Sequence, residues 1–168
     1  DFKERVTKPN MLLKRILKIW INYLKSQLVL MVFIGVITYI VGKMVGLSDT
    51  LVLSIVAGVG EGIVQIGPIA ATIPAVVIAY IKGSSVLSVE NWLFALIIIA
   101  IYILIQMFEN YILKPKIVGD AVNMHPILSL VGMTIFGILL GIPGLIFAIP
   151  VMATAREIIH YLFYEERK

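Results

Sequence analysis

Two carboxylates stand inside stretches that are otherwise almost wholly apolar. Glu61 lies in Val59-Gly60-Glu61-Gly62, with Gln65 one helical turn later on the same face. Glu109 lies in Gln106-Met107-Phe108-Glu109-Asn110. Tyr102, Gln106 and Glu109 or Asn110 follow one another at steps of four and three residues, so they form one polar stripe on a helix. A carboxylate near the centre of a membrane helix is penalised by roughly 2.5–3.5 kcal/mol on insertion scales, so such residues call for a reason. Glu61 reads as a proton or cation site, as a polar contact for solute at unwound backbone, or as a wet helix end near the interface. The stripe reads as a pore or substrate face, or as interhelical hydrogen bonding at about 0.6 kcal/mol per contact. His125-Pro126 opens the last apolar stretch; a histidine there could sense pH, and a helix-start turn is its plainer role. Lys114-Pro115-Lys116 reads as a membrane-edge anchor, Asp120 as a loop charge, and His160 with the tail 156–168 as a solvated helix end.

The elements that must position these groups follow from hydropathy and breakers. Residues 26–42 carry no charge and make one crossing; residues 91–108, opened by Trp92, make a second. Residues 50–81 and 127–155 are about thirty residues each, against the roughly 20 that one crossing needs. Both are punctured, the first at Gly58, Gly60, Gly62, Gly67-Pro68 and Pro74, the second at Gly137, Gly141, Pro143, Gly144 and Pro150. Proline inside a helix removes a hydrogen bond and clashes with the preceding turn. Backbone freed in this way at membrane depth must be buried in protein or line a wet cavity. Both stretches therefore read as broken helices or re-entrant hairpins. They also align without gaps, Gly67-Pro68, four residues, Ile73-Pro74 on Pro143-Gly144, four residues, Ile149-Pro150. Paired interrupted segments of this kind point to the binding site of a secondary transporter.

Composition sets the class. The 168 residues are 60% hydrophobic and 14% charged, with a mean hydropathy of +1.02. Soluble domains carry about 45–50% apolar and roughly 25% charged residues, so a water-soluble globular domain is excluded and an integral membrane protein expected. Zero Cys removes disulfides and thiolate chemistry. Of the net charge of +4, placement says more than size. Lys14, Arg15, Lys18, Asn22 and Lys25 lie opposite Leu12, Leu13, Ile16, Leu17, Ile19, Trp20, Tyr23 and Leu24. That is a basic amphipathic helix over residues 10–25, lying on an anionic membrane face or packed on another segment, and in either case cytoplasmic. With two hairpins, Lys114, Lys116, Arg156, Arg167 and Lys168 join this side, and Lys43 and Lys82 face the other. The expected divisions are 1–25 a surface segment, 26–155 a transmembrane domain and 156–168 a charged tail. The chain begins with Asp, as a processed, truncated or partial chain would. No His-Glu-x-x-His, Gly-x-Ser-x-Gly or phosphate-loop signature is present, so neither an enzyme nor a cofactor or metal site is expected.

The ordered set Tyr23…Gln27, Gly67-Pro68, Pro74, Gln106…Glu109-Asn110, Pro115-Lys116-Ile117-Val118-Gly119, His125-Pro126, Gly137, Gly141-x-x-Gly144 and Pro150 resembles the autoinducer-2 exporter family of membrane proteins, from about residue 20 to 155. Its most specific parts are the Glu-Asn…Pro-Lys-Ile-Val-Gly…His-Pro block and the Gly-Ile-Pro-Gly…Pro block. The resemblance implies transport of a small polar solute, signal molecule or ion across the inner membrane, with export of autoinducer-2 in the namesake and cation/proton antiport in some members. Two departures stand out: members usually have further transmembrane helices before residue 20, and many show Ile-Pro-Tyr-Ile-Gly-Pro where this chain has Ile63-Val64-Gln65-Ile66-Gly67-Pro68. The missing helices would make this chain a fragment, or a shortened relative whose pathway oligomerisation completes. The changed motif shifts the expectation towards a charged or cationic co-substrate.

The expectation is thus an all-α polytopic integral membrane protein with broken or re-entrant helices and an N-terminal amphipathic helix. Its solute and ion pathway would run along Glu61, Gln65, Gln106, Glu109, Asn110 and His125, with hinges at Gly67, Pro68, Pro74, Gly141, Pro143, Gly144 and Pro150. Solute would sit between the two breaks, with H+ or Na+ coupled through Glu61 and Glu109. A homo-oligomer in the lipid bilayer is expected, and no nucleic acid. The competing readings are a non-transporting membrane subunit or scaffold, and a passive channel.

Overall fold

The computed structural model describes residues 2–63, 66–117 and 126–165. Among these described residues seven α-helices follow in order: α1 (Phe2–Met44), α2 (Thr50–Gly60), α3 (Ile66–Lys82), α4 (Asn91–Phe108), α5 (Lys114–Ile117), α6 (Pro126–Leu140) and α7 (Ile142–His160). A π turn, Glu109–Leu113, joins α4 to α5, and a second, Tyr161–Glu165, follows α7. Among the described residues the pairing of Leu47 with Ser84 is an isolated bridge. Among the described residues three helical runs are long and apolar enough to cross a bilayer: Met11–Met44, Asn91–Ile117 and Ile142–Phe163. Large apolar side chains stand outward on every long helix, among them Val32, Ile69, Ile103 and Ile138, an exterior suited to hydrocarbon rather than water. The chain is an all-α polytopic membrane protein.

Contacts divide it into two compact units, Asp1–Ser26 with Val118–Lys168, and Gln27–Ile117. In the second unit, α2 and α3 form a hairpin of 11 and 17 residues. At 1.5 Å per residue the arms reach only about 16 and 25 Å, short of a hydrocarbon core of about 30 Å. Small residues bring α3 onto its neighbours, for Ala71, Ala75 and Ala79 recur every four residues and are buried. Ala75 and Ala79 join a core with Leu47, Leu53, Phe94, Ala95 and Ile98. At the hairpin turn, a Cβ on Gly67 would run into the carbonyl oxygen of Gly60, so the two backbones touch there. At its other end the connecting loops are stapled together. Ser84 Oγ donates to Val45 O at 2.6 Å, Ser85 N–H donates to Gly46 O at 3.0 Å, and Lys82 pairs with Asp49 at 2.6 Å.

The first unit holds a different hairpin. The helix breaks at one residue, Gly141, whose φ of 65° and ψ of −143° are open to glycine and strained for other residues. Pro143 sits in the first turn of α7, where its missing N–H costs nothing. Gly144 packs against the carbonyl oxygen of Phe136. Trp20 Nε1 donates to Thr154 Oγ1 at 3.0 Å, the Trp20 and Phe147 rings lie 5.9 Å apart, and Arg15 pairs with Glu157 at 3.2 Å.

Several expectations need correction. α3 and α7 run through Pro74 and Pro150 without a break; the interruptions fall at Glu61–Ile63 and at Gly141. The two punctured stretches are therefore unlike each other, because α7 continues past Arg156 into a run of crossing length. Its charges do not end it, since Glu157 has Arg15 as partner. Likewise α1 is one helix of 43 residues through the boundary at 25 and 26. Within its apolar half Leu30, Ile34 and Thr38 are buried at four-residue steps.

Candidate functional site

The site is built within the unit Gln27–Ile117, where the tip of the α2–α3 hairpin meets the last turns of α4. α2 stops at Gly60, and the chain turns tightly: Gly62 N–H donates to Val59 O at 3.0 Å and Ile63 N–H to Gly60 O at 2.8 Å. Gln27 Nε2, reaching from α1, donates to the carbonyl of Glu61 at 2.6 Å. This fixes Glu61 with 3% of its surface exposed.

α4 supplies the facing wall. Its inward stripe starts apolar at Phe94 and Ile98 and ends polar at Tyr102, Gln106 and Glu109. Glu109 is 1% exposed, and Gln106 Nε2 donates to its Oε2 at 2.8 Å. Thr38, Glu61, Tyr102, Gln106 and Glu109 share a cavity of about 20 Å³ with Ala71 and other apolar neighbours. That volume holds about one water. The Tyr102 hydroxyl is buried and has no hydrogen-bond partner among the described residues.

Between the carboxylates lies the ammonium of Lys114, 2.5 Å from Glu109 Oε1, 3.4 Å from Glu61 Oε1 and 3.2 Å from Asn110 Oδ1. In an α-helix, residues five apart point about 140° away from each other. The π turn corrects this, because Lys114 N–H bonds to Glu109 O, five residues back, and brings the two side chains onto one side. The next residue gives the reason. Pro115 has no N–H for the Tyr111 carbonyl and its ring crowds that turn, so the helix widens there. Burying one carboxylate without a partner is costly, and a paired, hydrogen-bonded ammonium offsets that cost. Two carboxylates and one ammonium still leave a net charge of −1 when all three are ionised.

Of the residues singled out from sequence, Glu61, Gln106 and Glu109 come together around the cavity, and Asn110 stands exposed at its edge, joined through Lys114. Gln65 and His125 lie outside the described residues. Gly67 and Pro68 belong to the hairpin turn of this unit, whereas Gly141, Pro143, Gly144 and Pro150 belong to the other unit. Sequence reading missed Lys114, taken as a membrane-edge anchor, and gave no role of its own to Gln27. The proline after Lys114, six residues beyond a buried carboxylate, is the signal that marks the first.

A family model described as AI-2E family transporter matches residues 2–163. The chain belongs to the AI-2E transport family. YrrI of Bacillus subtilis (strain 168), named as a transport protein, is 34% identical over 142 residues, 84% of this chain and 38% of its own length. YueF of the same organism, also named as a transport protein, is 32% identical over 137 residues, 80% of this chain and 34% of its own. PerM of Escherichia coli (strain K12), named as a permease, is 31% identical over 139 residues, with 83% and 38% coverage. The chain thus spans a little over a third of the length of these relatives. In this AI-2E family member the resemblance residues acquire physical roles. Gln27 holds the broken tip of α2, Pro115 makes the π turn, and Tyr23 donates to Ile146 O at 3.1 Å, the carbonyl that Pro150 deprives of its helical partner.

Proposed function

We propose that this chain is part of a secondary transporter that moves a small polar solute or ion across the inner membrane, with H+ or Na+ handled at Glu61 and Glu109. One observation carries the reading: two carboxylates, each at most 3% exposed, share a cavity the size of a water at the tip of a hairpin too short to cross. Reading α2–α3 as re-entrant places irregular backbone beside that cavity, the arrangement secondary transporters use for solute and coupling ions. A signal molecule such as autoinducer-2 is the candidate solute on the strength of the family. The N-terminal basic segment is cytoplasmic in this reading. The apolar exterior faces lipid and further copies of the chain in a homo-oligomer.

A second reading has its own support. Lys114 pairs with both carboxylates, which a purely structural clamp in a non-transporting subunit would also do. Flux in proteoliposomes separates the two. Glu61→Gln and Glu109→Gln are expected to fold and to lose at least about tenfold in gradient-driven transport, the loss that about 1.4 kcal/mol at the coupling step would give. Variants that fold normally and transport at the wild-type rate would leave the carboxylates with the clamp role alone. Uptake that persists undiminished after the pH and sodium gradients are collapsed would instead make the protein a passive channel.

A further inference from the structure

Lys114 is placed in a way that the transport reading above does not by itself require. An ammonium has three N–H donors. Lys114 Nζ has three oxygens around it, one each from Glu109, Asn110 and Glu61, so it fills the position that a small cation would take among the same oxygens. The side chain is anchored outside the carboxylate pair and is itself 31% exposed, whereas the two carboxylates are 2% and 3% exposed. It therefore has an open side to withdraw to and they do not. With Lys114 withdrawn, the carboxylate oxygens and the buried Tyr102 hydroxyl remain as oxygen donors around a cavity with room for one water, the ligand type that hard cations select. With Lys114 in place, a second cation beside it would meet like-charge repulsion at close range.

We propose that Lys114 is the resident cation of this site: its ammonium and one transported monovalent charge, Na+ or a proton, occupy the carboxylate pair in turn. The inference rests on the reading of Glu61 and Glu109 as a coupling site and deepens it by naming what keeps that site closed when empty. Occupancy by Lys114 lets the site cross between states without a bound ion, and occupancy by the incoming charge releases Lys114. The other described residues facing the pair do not compete for this role. Tyr102 is the further ionisable group on α4, α1 brings Gln27 and Thr38, and α3 brings Pro68 and Ala71.

The test reads binding rather than flux, on the full chain in detergent. Thermal unfolding is followed against Na+ at fixed pH, with choline as the balancing ion, and against pH at fixed Na+. Lys114→Gln is expected to make stabilisation by Na+ or by protons set in at concentrations about tenfold or more lower than in wild type, because the competing charge is gone. Whichever arm shifts identifies the occupant. Unchanged midpoint curves in both arms would overturn the proposal. Should Lys114→Gln not fold, Glu61→Gln/Lys114→Gln leaves one carboxylate without a competing ammonium and is read in the same two arms. In wild type, the labelling rate of Lys114 by an amine-reactive ester, read on its peptide, is expected to rise when Na+ replaces choline if Na+ is the occupant. A lysine that is only a clamp keeps one labelling rate in Na+ and in choline. Failure of the transport reading shows separately, as undiminished flux in Glu61→Gln.

Discussion

Pro150 and Tyr23 show how single residues settle their accounts inside this molecule. Proline at 150 leaves the carbonyl of Ile146 without its helical donor, and the Tyr23 hydroxyl supplies one from another helix at 3.1 Å. Tyr23→Phe keeps the ring, buried to 3% exposure, and removes the hydroxyl. Interhelical hydrogen bonds in membrane proteins average about 0.6 kcal/mol, and a stranded buried acceptor costs about 1 kcal/mol or more. The expected result is a loss of about 1 kcal/mol, seen as a modest drop in the thermal midpoint in detergent with transport retained. A loss of several kcal/mol would mean that the hydroxyl does more than replace one missing N–H. The same residue scale shows what could be read without a structure. Glu61 and Glu109 betray themselves as carboxylates in apolar runs, and so does the Tyr102–Gln106–Glu109 stripe, because four- and three-residue steps follow a helix face. Lys114 does not, since five residues from Glu109 is the wrong side of an ordinary helix, and its contact with Glu61 joins segments far apart in the chain.

At the scale of elements, the π turn at Glu109–Leu113 decides whether the site is assembled. Pro115→Ala restores an N–H to bond the Tyr111 carbonyl and removes the clash that widens the turn. The helix is expected to tighten to regular α, swinging Lys114 off Glu109. Faster amine labelling of Lys114 with the helical circular dichroism unchanged would report this, and an unchanged labelling rate would show that the turn is held by something other than the proline. Breaks were legible only in part. Glycine and proline clusters marked both long apolar stretches, yet Pro74 and Pro150 lie within continuous helices, while a glycine backbone contact at Gly60 and Gly67 and the left-handed φ of Gly141 mark where the chain turns. Proline in a membrane helix is tolerated when a neighbour satisfies the freed carbonyl, and the neighbour is invisible in a local reading. For the same reason the basic run ending at Lys25 looked like a separate surface helix, whereas α1 continues through it to Met44.

At the scale of the whole molecule, the absence of cysteine makes sidedness measurable one residue at a time. Ser88 lies exposed in the α3–α4 connection and Lys14 exposed near the start of α1. If the α2–α3 hairpin re-enters, Ser88→Cys reacts with a membrane-impermeant maleimide added to intact cells, and Lys14→Cys and Lys116→Cys react only after permeabilisation. Reaction of Ser88→Cys only after permeabilisation would mean that the hairpin crosses, and the topology would have to be redrawn. The order of synthesis adds a consequence of the ion cluster. Glu61 leaves the ribosome well before Lys114, and at about 5–20 residues per second the interval is on the order of several seconds. For the latter part of that time the hairpin tip is complete and its counter-charge does not yet exist. The nascent hairpin therefore either waits in a wet environment or enters the bilayer with Glu61 carrying a proton, and its final seating is timed by the arrival of a lysine on a later helix.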